Sequence, residues 1–206
     1  YSDYKGNRSD APDDLIPQFE YIRQSVKAFN LPSIELINYE ADDLIATYVE
    51  KILDLGAKVT IVSSDKDLMQ LYKEGVRIYD PMKNKFINQD DVHNKFGVTP
   101  EKVIDVQSLA GDSTDNVPGV PGIGVKTAAE LINEYGTLEN LLKNASKIKQ
   151  NKRRETLINN MDDAIISKKL VTLKKDVPVK NKIEEFVLKN IDKDKLYTFL
   201  REMEFN

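Results

Sequence analysis

The sequence lacks cysteine altogether and has a single histidine, His93, among 206 residues. Without cysteine there is no disulfide framework, no zinc-thiolate site and no cysteine nucleophile, which suits a reducing compartment. The single histidine, interpreted as a structural or surface residue, removes most imidazole-based catalysis and leaves carboxylates as the main candidates for metal binding. No apolar run reaches the roughly 18 to 20 residues of a membrane-spanning helix, and the polar first ten residues are unlike a signal peptide. We therefore expect a soluble, cytoplasmic protein with no membrane partner.

Charge is unevenly distributed along the chain, although the net charge is only −4. Residues 1–120 carry 13 basic and 21 acidic side chains, whereas residues 121–180 carry 12 basic and 7 acidic ones. An acidic first part followed by a basic stretch suits a cation-binding centre beside a phosphate-binding surface. Two ordinary solvated surfaces would give the same counts.

The apolar periodicity predicts an α/β fold. We expect a short strand at 33–37, a helix at 41–55 and a buried strand at Val59–Val62. Such a strand, helix and strand form a parallel unit whose functional groups gather at the carboxyl ends of the strands. A hairpin is predicted at 76–87. Further helices are predicted at 15–29, 90–96, 99–110, 125–135, 138–142, 153–169 and 194–203.

Seven acids occur in three short clusters at predicted element ends. They are Glu40, Asp42, Asp43, Asp65, Asp67, Asp112 and Asp115. Each cluster alone has an ordinary explanation, either a helix start or an Asx turn. Together, hard oxygen ligands without cysteine favour Mg²⁺ or Mn²⁺. A pair of such ions about 3.5 to 4 Å apart is the usual arrangement for phosphodiester hydrolysis, so a nuclease is the leading prediction.

A glycine-rich turn, Pro121-Gly122-Ile123-Gly124, leads into a predicted helix that begins with Val125, Lys126 and Thr127. Backbone amides at this turn can approach a phosphate, and Lys126 adds positive charge. A nucleotide-binding P-loop ends in Gly-Lys-Ser or Gly-Lys-Thr, whereas here Val125 separates Gly124 from Lys126. This difference disfavours nucleoside triphosphate binding.

A third motif lies at the start of the chain, where Tyr4, Lys5 and Arg8 surround a glycine and an asparagine. Two cations and an aromatic ring can engage a phosphate and a base. By itself this motif is more typical of a solvated loop.

The order of these motifs resembles the 5′-nuclease domain at the amino end of bacterial DNA polymerase I, within the flap endonuclease superfamily. The resemblance covers nearly the whole chain. It rests on residues 4–8, 39–43, 62–67, 110–116 and 121–128. It implies a PIN-like α/β core at 1–110, with a mainly parallel central sheet, flanking helices and an arch segment. A helix-hairpin-helix-like DNA-binding subdomain would follow at 111–182, and a terminal helix at 183–206 would lead toward the next domain.

The resemblance also implies roles for individual residues. The seven acids would bind two Mg²⁺ or Mn²⁺ ions in the complete domain, while Lys5 and Arg8 steer the scissile phosphate with Tyr4 nearby. Duplex backbone would be gripped at the 117–128 turn, with a monovalent cation there. The gripping residues would be Gly119, Gly122, Gly124, Lys126 and Thr127.

The implied reaction is metal-dependent hydrolysis of 5′ DNA strands, flaps or RNA primers during replication and repair. It would take place in the bacterial cytoplasm with the nucleoid, next to polymerase domains of the same parent chain. Members of this family begin with an apolar strand that carries a metal-binding Asp, followed by a second Asp before the Tyr4 motif. This chain starts at Tyr1 without either segment, so we expect a fragment or a catalytically incomplete domain.

Two alternatives remain at this point. A DNA-structure binding module without catalysis would keep the 117–128 turn and the basic stretch while its incomplete carboxylate cluster binds metal poorly. An RNA-cleaving domain of the related acid-rich type is weaker, since such domains usually lack the duplex clamp.

Overall fold

A computed structural model describes residues 1–205 and divides the chain into two compact units. The first unit combines residues 1–8 with 42–177, and the second combines residues 9–41 with the segment from 178 onward. The helices are α1 (Gln18–Ala28), α2 (Ala41–Asp54), α3 (Gln89–Phe96), α4 (Val103–Ala110), α5 (Val125–Tyr135), α6 (Leu138–Lys143), α7 (Asn151–Asn159), α8 (Met161–Val171) and α9 (Lys193–Glu202). The strands are β1 (Val59–Val62), β2 (Val76–Asp80) and β3 (Lys85–Ile87).

The three strands form one sheet in the order β1-β2-β3. β1 runs parallel to β2, with Ile61 opposite Ile78, and β2 pairs antiparallel with β3 through the predicted hairpin. The predicted α/β class is confirmed. Because β1 and β2 are parallel, their carboxyl ends meet at the same edge of the sheet. The residues after Val62 and the residue Asp80 therefore lie at that edge.

Two strand predictions are wrong. Residues 33–37 form no strand, and Ile37 is 86% exposed. An extended segment needs a partner for its backbone groups, and the three-stranded sheet does not include this one. β1 is also not a buried strand: Ile61 is buried, but Val62 is 65% exposed. β1 is an edge strand of the sheet, which explains this exposure.

The single helix predicted at 153–169 is also wrong, because α7 and α8 are separate helices that meet at Asn160. Asn160 has φ −123° and ψ 30°, outside the helical region. Its side-chain Nδ2 donates to the carbonyl oxygen of Thr156 at 2.7 Å. Its backbone N–H donates to the same carbonyl at 3.2 Å. Asparagine side chains that bond to nearby backbone in this way are disfavoured inside helices, which agrees with the break at Asn160.

Helix α4 lies at the centre of the core of the first unit, packed against α5 and α8. Its residues Val103, Val106 and Leu109 are fully buried. Each such side chain contributes about 1.5 to 3 kcal/mol through its removal from water. The core therefore fixes α4 firmly, and with it the loop that follows at Gly111.

In the second unit α1 contacts α9. The helix predicted at 15–29 is confirmed over Gln18–Ala28, but Phe19, Ile22 and Phe29 of its expected apolar face are exposed. Across residues 1–205, no helix combines the length and the apolar character that crossing a bilayer requires.

Candidate metal centre and nucleic-acid interface

Two acids follow β1 in an Asx turn. The Ser63 side-chain oxygen accepts a hydrogen bond from the backbone N–H of Asp65 at 3.0 Å. Asp65 Oδ1 in turn accepts from the backbone N–H of Asp67 at 2.9 Å. The 3₁₀ segment Asp67–Leu71 begins here, and its residue Leu68 is fully buried. The turn therefore fixes both carboxylates at the carboxyl end of β1.

Asp67 is held from below by α4, where Gln107 Nε2 donates to its Oδ1 at 2.5 Å. Burial raises the pKa of Asp67; the hydrogen bond from Gln107 lowers it, and the negative charges of Asp65 and Asp112 raise it further. The net shift is upward. Gln107 is only 4% exposed, and its Oε1 has no hydrogen-bond partner within the described part of the chain.

Asp112 lies in the loop after α4 and is the third acid of this cluster. Its Oδ1 accepts from the backbone N–H of Thr114 at 2.8 Å, and its Oδ2 accepts from the ammonium of Lys66 at 2.5 Å. Burial would raise the pKa of Asp112, but Lys66 outweighs it and the pKa is lowered. Burial likewise opposes the charge of Lys66, yet Asp112 raises the pKa of this lysine. Lys66 therefore neutralises part of the acidic cluster.

The chemistry of this cluster fits a divalent ion in part. Its donors are carboxylate oxygens, which Mg²⁺ and Mn²⁺ prefer. A hydrated cation beside Asp67 would also bring a hydrogen-bond donor to the buried Oε1 of Gln107. However, among residues 1–205 no three Asp, Glu or His side chains are already grouped to hold a metal. An ion that used Oδ2 of Asp112 as a ligand would have to displace the ammonium of Lys66.

Asp115 lies in the same loop and binds the start of the chain. Arg8 Nη2 donates to Asp115 Oδ1, and Lys5 Nζ lies 3.8 Å from Oδ2. The backbone N–H of Lys5 also donates to the Asp115 carbonyl oxygen at 2.9 Å. Lys5 Nζ lies 5.0 Å from the centre of the Tyr4 ring. The structure thus joins the residues 4–8 motif to the acidic loop, two segments that are more than 100 residues apart.

The three acids near the start of α2 have different surroundings. Asp43 Oδ1 accepts from the backbone N–H of Lys174 at 2.8 Å, which attaches α2 to the segment after α8. Asp42 is half-buried in the first turn of α2. Glu40 is exposed and belongs to the second unit. The role of all three as metal ligands stays a prediction.

The glycine-rich turn is attached to the acidic loop and to α8. Gly119 donates its backbone N–H to the buried Ser167 Oγ at 2.8 Å. Gly119 and Gly122 have φ of +60° and +75°, which glycine adopts without strain. Gly124 immediately precedes α5, where Lys126 is exposed and Thr127 half-buried. The first turn of α5 contains no acid, so no carboxylate of that turn would repel an anion at its amino end.

Several residues of this region were not predicted. Lys66 and Gln107 contact acids 46 and 40 positions away. Asp80, only 2% exposed, accepts from Ser64 Oγ at 2.7 Å and from the backbone N–H of Met82 at 3.0 Å. An acid at the end of a predicted strand, followed by a proline turn, was the available signal for Asp80.

Two family models match the chain. Residues 1–97 match the 5′-3′ exonuclease N-terminal resolvase-like domain, and residues 98–194 match the 5′-3′ exonuclease C-terminal SAM fold.

Similar proteins include DNA polymerase I of Rhizobium leguminosarum, 55% identical over 205 residues, which are all of this chain and 20% of that polymerase. The 5′-3′ exonuclease of Aquifex aeolicus is 42% identical over 204 residues, which are 99% of this chain and 69% of that protein. The chain therefore spans about a fifth of the first relative and most of the second.

Among solved structures, the bacteriophage T5 D15 protein co-crystallised with metal ions superposes with a TM-score of 0.76 at 23% identity, covering 99% of this chain and 77% of that one. The catalytic core of Rad2 in complex with a DNA substrate gives a TM-score of 0.60 at 21% identity, covering 94% and 64%. These likenesses concern the fold.

Proposed function

Because this chain belongs to the 5′-3′ exonuclease family and has the flap endonuclease fold, we propose that it hydrolyses phosphodiester bonds in 5′ strands and flaps of DNA. One observation carries the proposal. Asp65, Asp67 and Asp112 form one acidic cluster, and the loop of Asp112 continues directly into the turn at 117–124.

The proposed cofactor is Mg²⁺ or Mn²⁺, with two ions in the complete domain. Asp65, Asp67 and Asp112 would hold it, joined by the remaining acids named from the family resemblance. When bound, such ions supply an activated water and stabilise the leaving oxygen. Divalent metal, zinc included, is bound by the T5 5′-exonuclease, a structural neighbour. Selectivity for Mg²⁺ belongs to the proposal.

The chain's own residues would bind and orient the DNA. The amides of the turn, Lys126 and Thr127 would contact the backbone of the duplex, with a monovalent cation at residues 117–128. Lys5 and Arg8 would hold the phosphate next to the cleaved bond, because their contact with Asp115 places both cations at the acidic loop. These contacts read the backbone rather than the bases, so cleavage would follow DNA structure and not sequence.

The likeness to DNA polymerase I suggests the wider setting. We expect polymerase domains in the same parent chain and RNA primers among the substrates, with action at the bacterial nucleoid. These statements concern a whole protein of which this chain would be about one fifth.

A DNA-structure binding module without cleavage is the second candidate. It is favoured by the Lys66–Asp112 ion pair and by the lack of any group of three metal-binding side chains within residues 1–205. In that case the turn would still bind duplex DNA, but no metal concentration would support hydrolysis.

Cleavage and binding of a 5′-labelled flap substrate separate the two candidates. We expect cleavage with Mg²⁺ or Mn²⁺, none with EDTA, and none for Asp65→Ala, which should bind DNA normally because no phosphate contact is removed. Asp54→Ala, which removes an exposed acid at the end of α2, is the matched control and should cleave normally. Binding without cleavage under every metal condition would establish the second candidate. Normal cleavage by Asp65→Ala would exclude Asp65 from the site.

A further inference from the structure

Residues 171–177, which we call the strap, leave the end of α8 as irregular chain. Irregular backbone has N–H and C=O groups that neither a helix nor a sheet satisfies, and burying them unpaired is costly. The side chains of Asp43, Thr47 and Gln70 bond to such groups of the strap. These three residues lie on two elements, α2 and the 3₁₀ segment after β1, and both elements carry acids of the proposed metal centre.

Gln70 holds the start of the strap. This buried glutamine donates its Nε2 to the carbonyl oxygen of Val171 at 3.0 Å, and its Oε1 accepts from the backbone N–H of Leu173 at 3.1 Å. Gln70 lies in the 3₁₀ segment that begins at Asp67, three residues further along the chain. The strap is therefore bonded directly to the segment that carries Asp67.

Helix α2 holds the rest of the strap through two side chains one helical turn apart. Asp43 Oδ1 accepts from the backbone N–H of Lys174 at 2.8 Å. Thr47 is fully buried; its hydroxyl donates to the carbonyl oxygen of Lys174 at 3.2 Å and accepts from the backbone N–H of Val177 at 3.1 Å. Because residues four apart share one face of a helix, one face of α2 is bonded to the strap from Asp43 onward.

The position of the first turn of α2 depends on these directional bonds. The helix buries an apolar face, but apolar burial is non-directional. Among the described helices and strands, no element packs on α2 as extensively as α8 packs on α4. Glu50 of α2 also forms ion pairs with Lys175 of the strap at 2.8 Å and with Lys73 at 2.6 Å, but partly exposed pairs contribute little. The buried hydrogen bonds of Thr47 and Gln70 are therefore the specific links.

We propose that Thr47 and Gln70 are positioning residues of the metal centre. By holding the strap from two sides, they fix the first turn of α2, and with it Asp43, relative to the segment that begins at Asp67. The backbone N–H of Lys174 orients the Asp43 carboxylate, as hydrogen bonds behind metal ligands do. Neither positioning residue touches metal or DNA in this role. The inference rests on the proposed function, in which acids of both elements bind the same ions.

The test measures the Kd of Mn²⁺ by electron paramagnetic resonance, well below the Tm of each variant. Thr47→Val should raise this Kd about tenfold, the size of effect expected when a group behind a metal ligand is lost. Thr47→Ser keeps the hydroxyl and should restore the wild-type Kd. Gln70→Met breaks the link at the other end of the strap and should also raise the Kd about tenfold; it takes the place of Thr47→Val if that variant does not fold.

Thr137→Val is the matched control for stability. Thr137 is exposed, and its hydroxyl caps α6 by accepting from the backbone N–H of Asn140 at 3.2 Å. The same substitution there should lower the urea midpoint, because the cap is lost, and leave the Kd of Mn²⁺ unchanged. A purely structural role of Thr47 would lower the midpoint in both threonine variants and change the Kd in neither. That result would overturn the inference.

Flap cleavage gives a second readout. In Thr47→Val the Mn²⁺ concentration for half-maximal cleavage should rise about tenfold, while the Kd for flap DNA in EDTA stays that of the wild type. Weaker flap binding with an unchanged Mn²⁺ requirement would refute the positioning role. If the wild type binds Mn²⁺ and cleaves flaps while Thr47→Val and Gln70→Met keep its Kd for Mn²⁺, only the positioning role fails. If the wild type neither binds Mn²⁺ nor cleaves, the proposed function fails.

Discussion

The backbone of Gly119 lies directly against that of Gly111: a Cβ atom on Gly119 would stand 2.4 Å from the Gly111 amide nitrogen. Both residues have positive φ, +60° and +69°. Between them, Asp112 and Val117 exchange two backbone hydrogen bonds, of 3.0 and 2.7 Å. The acidic loop and the glycine-rich turn are therefore one folded piece, and a shift of one displaces the other.

We expect Gly119→Ala to reduce the free energy of unfolding by about 2 to 5 kcal/mol, measured by urea denaturation. Left-handed strain costs about 1 to 2 kcal/mol. Overlap with backbone atoms that cannot rotate away adds about 1 to 3 kcal/mol. Gly122→Ala is the matched control, because its φ is also positive but no atom lies within 4 Å of the added Cβ. Gly122→Ala should lose only the free energy of the left-handed strain. Equal losses in the two variants would contradict the close contact as the cause.

Ser167→Ala should cost about 1 to 3 kcal/mol, because it leaves the backbone N–H of Gly119 buried without an acceptor. Ser108 provides the comparison, since it is equally buried and its hydroxyl donates to the carbonyl oxygen of Ile104 within α4. Ser108→Ala leaves no buried N–H unpaired and should cost less. Both values follow from urea denaturation monitored by circular dichroism. A loss for Ser167→Ala no larger than that for Ser108→Ala would contradict an unpaired Gly119 N–H as the cause.

Local patterns predicted most helices. The glycine-rich turn before Val125 and Gly136 after Tyr135 mark both ends of α5, and the structure has these bounds. Strands were predicted less well because pairing depends on distant segments. The apolar run at 33–37 has the composition of a strand, but no strand pairs with it, and the exposure of Val62 depends on β1 being at the sheet edge.

In the candidate site, too, local features were predicted and contacts between distant segments were not. An apolar run followed by a polar turn is enough to locate Asp65 and Asp67 at the end of β1. Their surroundings are not encoded locally, because Gln107 reaches Asp67 only through the packing of α4. Lys66 reaches Asp112 because the loop after α4 returns to the end of β1. The spacing of residues along a single sequence reveals neither of these two contacts.

Asp80 should make the stability of the protein depend on acid pH. Hydrogen bonds from Ser64 and Lys83 lower the pKa of Asp80 to about 2, against an ordinary value near 3.9. A lowered pKa in the folded state stabilises the protein above the unfolded value, and this contribution is lost as pH falls toward 2.

We therefore expect the urea midpoint of Asp80→Asn to fall less steeply than that of the wild type between pH 4 and pH 2. Ser64→Ala removes the largest single contribution to the low pKa and should give an intermediate slope. Identical slopes for all three proteins would show that Asp80 does not have a lowered pKa in the folded state.

Lys66 should compete with a divalent ion for Asp112, since its ammonium already contacts Oδ2. In Lys66→Met the three acids lose this neutralising charge, so the metal-free protein should melt at a lower temperature. The ion should then bind more tightly, because no ammonium has to be displaced and the local potential is more negative. A tenfold tighter Kd adds about 1.4 kcal/mol at saturating metal, or about 3 to 6 °C in Tm. Melting in EDTA and in MgCl₂ or MnCl₂ measures the difference without any nuclease assay.

Lys73→Met is the control for that experiment, because Lys73 also binds a carboxylate, Glu50, at 2.6 Å, outside the acidic cluster. Its loss should lower Tm by similar amounts with and without metal, since no ion competes at Glu50. Lys66→Met should instead show a larger rise in Tm on metal addition than the wild type. If the rise in Tm were equal or smaller in Lys66→Met, the Lys66 ammonium and the metal ion would not be competing for Asp112. Asp112 would then not be a metal ligand.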